Sequence, residues 1–349
     1  MRITVMSRGH GFGHAARDLK VVEAIRSTRP DVRVDIASAG SGAEFYRARG
    51  IPVTDLGIED ADDTSLEATW RLWRFLHEDA PTDLVLVDEF MTVPGFCRNV
   101  LQVPSVLVTD WFHAEIGLPE NDALLDDATE VVVPDFPQAH RTPPATTAPV
   151  WYSGPLVRSF PEVDARRELG IAADALVVVV AQGGRPDRRA TLETQLRVLR
   201  VWNRNARPHD RLLLLADPPP VRGTPPRTPT IRWVGRTDRP ELYYRAADVV
   251  VADAFGFTVC ELVHNGVPAL AVVHADPGHH VREGVADRLE LLESTGLLLR
   301  ATLAEDPSHL WRALTRLAAA RPGRPLTGAA WGDPHEVATR VLGHLGAAR

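Results

Sequence analysis

Residues 3–25 read ITVMSRGHGFGHAARDLKVVEAI, and this stretch decides the fold. Its first apolar residues alternate with polar ones, as in a short strand, until three glycines break the run. After the glycines, apolar residues recur at helical spacing, at Ala15, Leu19, Val22 and Ile25. Residues 32–36 then alternate again. A strand, a glycine turn, a helix and a second strand in this order predict a parallel βαβ unit.

The same alternation of strands and helices continues along the chain in two series. Residues 142–149, rich in proline and threonine, have no periodicity and separate the series, so we predict the domain linker there. We therefore predict domains at 1–150 and 151–330. A C-terminal helix is predicted within 331–349, and one alternative is that it packs back on the N-terminal domain. The fold class is α/β, with two Rossmann-like parallel-sheet domains that face each other across a cleft. The remaining predicted strands are residues 52–56, 84–87, 105–108, 131–133, 176–181, 212–215, 231–234, 249–251 and 270–273.

The composition excludes several classes of protein. The chain has 349 residues, 44% of them hydrophobic and 24% charged, which is typical of a globular protein with two domains. Its 39 basic residues are scattered among 46 acidic ones, and the net charge of −7 argues against a nucleic-acid partner. The two cysteines, Cys97 and Cys260, lie outside any metal-ligand spacing, so we expect no structural zinc, no disulfide and a cytoplasmic protein. No apolar run approaches the roughly 20 residues that cross a bilayer, so we expect no transmembrane segment and leave peripheral membrane contact open.

The glycine loop is a candidate ligand site because it follows a strand and opens a helix. Glycines such as Gly11 and Gly13 let a ligand approach the backbone, and unpaired N–H groups favour an anion. The spacing is not the dinucleotide fingerprint, because the third glycine comes one position early. His14 begins the helix, whose positive dipole end disfavours an imidazolium, so we predict a neutral ring that could act as a general base. A tight turn in which His14 bonds the backbone is the alternative.

Two segments of the second half carry patterns that suit a nucleotide. Gly183, Gly184 and Arg185 follow a buried strand, where the glycine pair would let a diphosphate reach main-chain donors; a plain turn is the alternative. Thr258 and Glu261 have the T-x-x-E spacing of a capping box, in which Glu261 bonds the backbone amide of Thr258. The other interpretation is that Glu261 accepts hydrogen bonds from two adjacent ribose hydroxyls.

Further polar side chains follow strands. Asp88 and Asp110 each come after an apolar strand, where two carboxylates could share acid and base roles, although helix caps and turns are the common alternative. The loop at residues 274–280 contains histidine and aspartate side chains, which are common metal ligands. Its spacing does not place three ligands on one helical face, so we expect no metal and interpret the segment as a polar loop over a phosphate. The residues of that loop are His274, Asp276, His279 and His280.

These patterns resemble, in the same order over most of the chain, the GT-B glycosyltransferases related to MurG, the enzyme that adds N-acetylglucosamine to a peptidoglycan lipid precursor. Residues 9–14 stand where that family has its GGTGGH loop, residues 150–158 resemble its GNPVR segment, and residues 182–185 resemble its GGS turn. The most specific match is residues 247–268, with the T-x-x-E and G-[VL]-P-A of the donor-binding run. The glycine loop with Arg17 is also similar to the UDP-sugar hydrolase of pseudaminic acid synthesis.

The resemblance implies a division of roles between the two domains. The second would hold a nucleotide-sugar donor, with Glu261 on the ribose, Arg158 and the glycine pair near the diphosphate, and the loop at Arg236 and Thr237 beside the base. The first would hold the acceptor, with His14 as the base or as a phosphate contact. The candidate catalytic residues are His14 and Asp110, and the candidate substrate-binding residues are Gly11, Gly13, Asp88, Arg158, Gly183, Gly184, Arg185, Arg236, Thr237, Gly256, Phe257, Thr258, Glu261, His279 and His280.

The activity that the resemblance implies is glycosyl transfer. A nucleoside diphosphate sugar, with a UDP-sugar favoured, would give its sugar to a hydroxyl or amine of a small-molecule, lipid-linked or natural-product acceptor. Such enzymes generally work without a bound metal, using helix N-termini to stabilise the leaving diphosphate, so we expect no cofactor. Hydrolysis of the donor, with His14 activating water, is the alternative. A nucleotide-sugar-binding protein without turnover is a third interpretation.

Overall fold

A computed structural model of the protein describes residues 1–62, 64–79, 81–181, 188–216, 229–254, 256–273, 283–302, 307–320 and 331–346. The described residues divide into two compact units. One contains Met1–Val157 and the last helix of the chain, and the other carries the second sheet.

The first unit is built on a parallel sheet whose strands are short runs rich in valine, isoleucine and leucine, as expected for strands covered on both faces. Most of these side chains are fully buried, for example Ile3, Val85, Val106 and Val132. The strands are β1 (Arg2–Ser7), β2 (Arg33–Ser38), β3 (Thr54–Asp55), β4 (Leu84–Asp88), β5 (Ser105–Val108), β6 (Glu130–Val133) and β7 (Val150–Tyr152). Within the described residues the sheet has seven strands in the order β3-β2-β1-β4-β5-β6-β7.

The helices and turns of this unit connect successive strands. Helix α1 (Phe12–Thr28) places Ala15, Val22 and Ile25 against the sheet, at the helical spacing that the sequence shows. The others are α2 (Gly40–Ala48), α3 (Leu66–Arg74) and α4 (Val93–Phe96), with π-helical turns at Phe75–Asp79 and Cys97–Leu101 and 3-10 turns at His113–Ile116, Pro119–Asp127 and Pro137–Ala139.

The second unit repeats the architecture with a second parallel sheet. Its strands are β8 (Val177–Ala181), β9 (Arg211–Leu214), β10 (Ile231–Trp233), β11 (Val249–Asp253), β12 (Ala269–Val273) and β13 (Leu298–Thr302). In the part of the chain that is described, six strands form the sheet, in the order β10-β9-β8-β11-β12-β13. Its helices are α5 (Ala165–Glu168), α6 (Arg188–Asn205), α7 (Pro240–Ala246), α8 (Thr258–His264), α9 (Glu283–Glu293) and α10 (Pro307–Ala318).

The last helix, α11 (Pro334–Gly343), packs on the first unit. Its apolar side chains Val337 and Val341 are fully buried in the same core cluster as those of α1. Arg340 donates to Glu130 at the start of β6, and His344 Nε2 lies 2.9 Å from the other oxygen of that carboxylate. The end of the chain is therefore held by both apolar packing and a buried carboxylate.

The predicted fold class, α/β with two parallel sheets, is confirmed. Two strands were not predicted from the sequence. The strand β7 follows directly on the stretch read as a linker and pairs with β6, and β13 pairs with β12 at the edge of the second sheet. None of the helices described is both long enough and apolar enough to cross a membrane.

Candidate functional site

The strand order of the first sheet reverses between β1 and β4, since β2 and β3 lie on one side of β1 and β5 to β7 on the other. Chain segments that leave the carboxyl ends of two such strands diverge, and ligands in open α/β sheets bind at this switch point. The glycine loop and His14 follow β1, and Asp88 and Glu89 stand at the end of β4. The fold therefore brings together residues that are 74 positions apart.

The glycine loop is fixed by the turn between β2 and α2. Ser41 accepts a hydrogen bond from the backbone N–H of Gly11 at 2.8 Å and donates one to the carbonyl of Gly9. Gly11, the N-cap of α1, has φ 81°, a backbone conformation that favours glycine. No side chain caps this helix end, so its first N–H groups are available to an anion.

Two glycines of the loop are expected to respond oppositely to a methyl group. A Cβ at Gly9 would overlap the carbonyl of Ala39, whereas a Cβ at Gly13 would meet nothing within 4 Å. We expect Gly9→Ala to lower the free energy of unfolding by about 1–3 kcal/mol through overpacking. Gly13→Ala, inside a helix, is expected to raise it by up to about 1 kcal/mol. Denaturant unfolding of both variants measures the difference, and equal losses would contradict the packing of the loop.

Asp88 is the centre of the side-chain cluster at the switch point. Its carboxylate is 1% exposed, and Oδ1 lies 2.9 Å from Nδ1 of His14. Arg17, one turn after His14, donates to both oxygens at 2.8 Å. Burial opposes the ionised form, but the charges of Arg17 and His14, together with hydrogen bonds from His14 and Asp18, outweigh burial and hold the pKa of Asp88 below its usual range. Asp88 is therefore ionised, and we assign the proton of the His14–Asp88 hydrogen bond to Nδ1.

Glu89 follows Asp88 in the sequence and lies near the second nitrogen of the imidazole of His14. Its Oε2 lies 3.9 Å from Nε2 of His14 and accepts a hydrogen bond from Arg8 at 2.5 Å. The residue has φ 53°, and a non-glycine residue in the left-handed region is strained by about 1–3 kcal/mol. Such strain is concentrated at functional sites, where surrounding contacts enforce it.

The charge state predicted for His14 needs a correction. The position at a helix N-terminus led us to expect a pKa below the ordinary value, and burial acts in the same direction. The charges of Asp88 and Glu89, with the hydrogen bond to Asp88, outweigh burial and the charge of Arg17 and raise the pKa of His14 above 6.5. The reason is distance, because the carboxylates lie within 4 Å of the ring.

The cluster is organised as an ion-pair network. His14, Asp88 and Glu89 offer ligand atoms within 4.8 Å of one another, a spacing that a metal ion could accept. The same carboxylates already accept hydrogen bonds from Arg17 and Arg8, so two guanidinium charges balance them. We therefore assign no metal here. Asp110 belongs to the same network, with Oδ1 3.7 Å from Nη1 of Arg17.

The chemistry open to this cluster is general base catalysis. Asp88 occupies Nδ1 of His14 and orients the ring, which leaves Nε2 to take a proton from a hydroxyl group or a water. The side chain of His14 is 17% exposed, so a ligand can reach it. Asp88, which the sequence suggested as a substrate contact, is turned towards His14 and Arg17.

The second sheet also has a switch point, between β8 and β11, and α8 follows β11. The capping box, one of the two interpretations of Thr258 and Glu261, requires Thr258 as the N-cap. The N-cap of α8 is Phe257, without a side-chain cap, and Thr258 is the first helical residue. Glu261 is 20% exposed, and its Oε1 lies 4.0 Å from Nε of Arg158. The carboxylate therefore lies on the same side as Arg158 and is partly exposed.

The remaining candidates in the second unit divide into two groups. Arg236 is exposed, and Thr237 Oγ1 accepts a hydrogen bond from the backbone of Arg239. The guanidinium of Arg288 lies 4.5 Å over the ring of Phe257, and Gly256 is exposed beside it. The other group lies outside the described residues: Gly183, Gly184, Arg185, His279 and His280.

Sequence reasoning missed three charged members of the cluster. Arg17 lies one turn after His14, so helical spacing could have placed it on the same face. Glu89 lies beside Asp88 at a strand end, but no sequence pattern indicates its left-handed backbone conformation. Arg8 pairs with Glu89 across 81 positions, and no local pattern indicates this pairing.

Comparisons with known proteins give similarity in structure alone. No protein-family model matches the chain, and no curated protein matches it. The kitacinnamycin glycotransferase is 16% identical, with a TM-score of 0.65 over 99% of both chains. MurG from Acinetobacter baumannii is 17% identical, with a TM-score of 0.60 over 98% of this chain and 99% of its own. The UDP-GlcNAc 2-epimerase from Neisseria meningitidis, solved with UDP-GlcNAc, is 11% identical, with a TM-score of 0.59 over 98% of this chain and 99% of its own. At these identities the likeness shows the fold, which is GT-B.

Proposed function

We propose that this protein is a glycosyltransferase that moves a sugar from a nucleoside diphosphate sugar, with a UDP-sugar favoured, to a hydroxyl or amine of an acceptor, without a metal. The observation that carries the proposal is the pairing of His14 with the ionised Asp88 at a switch point. An oriented imidazole that a ligand can reach is the group that such a transfer requires from the protein. The GT-B fold, shared with the glycosyltransferases named above, agrees with this chemistry.

His14 acts in this mechanism as the base. As the acceptor oxygen bonds to the anomeric carbon, its proton passes to Nε2, and the bond to the diphosphate breaks with both electrons going to the leaving oxygen. Asp88 and Glu89 then stabilise the imidazolium, as their effect on the pKa of His14 implies. Arg17 and Arg8 donate hydrogen bonds to the two carboxylates and hold them in place.

The second unit is the proposed holder of the donor. Glu261 would accept hydrogen bonds from the ribose hydroxyls, and Arg158, 55% exposed and 4.0 Å away, would face the diphosphate. Both cysteines, Cys97 and Cys260, are buried free thiols, in keeping with the proposed cytoplasmic location.

Replacing Glu261 tests the donor site. We expect Glu261→Gln to weaken nucleotide binding about tenfold or more, because a neutral amide is a weaker acceptor than a carboxylate. Stability should change little, since glutamine keeps the size of a side chain that is 20% exposed. Titration calorimetry with UDP measures the affinity. The control is Glu293→Gln, which removes a 26% exposed carboxylate that pairs with Arg300 at 2.7 Å; equal effects of the two variants would contradict the assignment.

Product analysis separates transfer from its alternatives. Calorimetry with UDP, GDP, CDP and dTDP identifies the base, and mass spectrometry follows the matching nucleotide sugars with and without cell extracts. Transfer predicts nucleotide release with a new glycoside only when an acceptor is present. Free sugar without acceptor would instead identify the hydrolase, an isomeric nucleotide sugar would identify an epimerase, and binding without turnover would identify a binding protein.

A further inference from the structure

A second buried carboxyl group lies behind the His14–Asp88 pair. Asp18 is on α1, one turn after His14, and is 1% exposed. Its carboxyl group is hydrogen-bonded to Asp88 and to Ser7 at the end of β1. Tyr46 on α2 donates to the oxygen of Ser7 at 3.2 Å. Tyr46, Ser7, Asp18, Asp88 and His14 thus form one connected chain, whose first four members are buried.

If Asp18 were ionised, one of its carboxylate oxygens would be a buried acceptor without a donor in the described part of the chain. Its Oδ2 is buried, and no donor among the described residues reaches it. The group that Asp18 meets is the carboxylate of Asp88, which has no proton to donate when ionised. A buried acceptor without a donor costs about 1–3 kcal/mol, and more when charged. A proton between the two carboxyl groups removes this cost, as in pairs of aspartates that share one proton.

The charges around Asp18 also favour a proton there. Arg17 and Asp88 form one balanced ion pair, and Arg8 and Glu89 form another. The other charged or titratable groups that bear on the pair are His14 and Arg26 on α1, Tyr46 on α2 and Asp110 after β5. Arg17 lowers the pKa of Asp18, but Asp88 and Asp110 share the charge of the same guanidinium, and its effect on Asp18 is smaller than those of burial and of the charge of Asp88.

We propose that Asp18 is held as a neutral carboxylic acid that donates its proton to Asp88, and that it is a positioning residue for His14. By bonding Asp88 from behind, it holds that carboxylate against the ring and reduces the negative charge that His14 experiences. His14 can then release its proton more readily than beside an isolated carboxylate. Burial, followed by the charge of Asp88, raises the pKa of Asp18 well above its usual value, in agreement with the geometry. The role in catalysis rests on the proposed function, but the protonation state does not.

The pH dependence of stability tests the protonation state without any substrate. The unfolded chain releases the proton of Asp18 near pH 4, while the folded protein keeps it. Raising the pH therefore costs the wild type stability that Asp18→Asn, neutral in both states, does not lose. The folding equilibrium constant of Asp18→Asn relative to wild type is expected to rise about tenfold per pH unit between pH 5 and 7. A ratio that stays constant over this range would overturn the proposal.

The titration of the His14 ring, followed by NMR, tests the positioning role. An amide at position 18 can still donate to Asp88, so Asp18→Asn is expected to leave the pKa of His14 within about 0.3 units. Asp18→Leu keeps the branched skeleton of heavy atoms but has no donor, and is expected to raise that pKa by about 0.5–1 unit. If Asp18 were ionised, both variants would remove a negative charge and lower the pKa of His14, which would overturn the proposal. Absence of transferase activity would contradict the proposed function and leave these two results unaffected.

Discussion

Replacing His14 with glutamine is expected to lower kcat by about 10²–10⁴-fold, the usual contribution of a positioned general base. The affinity for the nucleotide should change by less than about threefold, because the donor contacts that we propose lie in the second unit. Glutamine fills a similar volume and its amide can still bond Asp88, so the ion pair with Arg17 is kept. Product formation under saturating donor gives kcat, and calorimetry gives the affinity.

The matched control for this variant is His10→Gln. His10 is an exposed histidine of the same glycine loop and lies outside the network around Asp88. We expect its kcat to stay within about tenfold of the wild type. Equal losses in the two variants would indicate that the loop, and not the imidazole of His14, limits the reaction. A His14→Gln variant with wild-type kcat would contradict the base mechanism directly.

The sequence predicts the central strands well because their cause is local. The run 84–87 is apolar throughout, and β4, which contains it, lies between β1 and β5 and is covered on both faces. Its apolar composition therefore predicts a buried strand. In contrast, β7 has three residues, all of intermediate exposure, at the edge of its sheet. The strand β7 forms because it pairs with β6. Such a strand is determined by pairing across the chain, which local periodicity does not record.

The candidate site shows the same limit. His14 and Asp88 are both visible in the sequence as polar residues after strands, but as separate candidates. Their contact depends on β4 pairing with β1, after β2 and β3 have been placed on the other side. The raised pKa of His14 is a product of this pairing and reverses the expectation from the helix dipole. In the second unit, the T-x-x-E spacing allowed a capping box with Thr258 as the N-cap, whereas α8 begins at Thr258 itself.

Asp88→Asn is expected to have the second large effect, on both stability and turnover. Removing one member of a buried ion pair costs about 3–5 kcal/mol, because the other charge is left without compensation. Here Arg17 keeps Asp110 at 3.7 Å, so we expect the lower end of that range. Asp83→Asn, an exposed aspartate just before the same strand, is the control and should cost less than about 1 kcal/mol. Denaturant unfolding of the two variants measures both values.

The loss of turnover in Asp88→Asn separates orientation from stability. An asparagine amide can donate to Nδ1 of His14, which moves the ring proton to Nε2 and removes the acceptor that the base needs. It also removes the negative charge that raises the pKa of His14 most, so the acid limb of the pH–rate profile should move to lower pH. We expect kcat to fall by at least about 10²-fold at a temperature where the variant is fully folded. If kcat stayed near the wild-type value there, Asp88 would serve stability alone and the His14–Asp88 pair would lose its catalytic role. A purely structural aspartate could lower the melting temperature, but it could not move the acid limb of the profile.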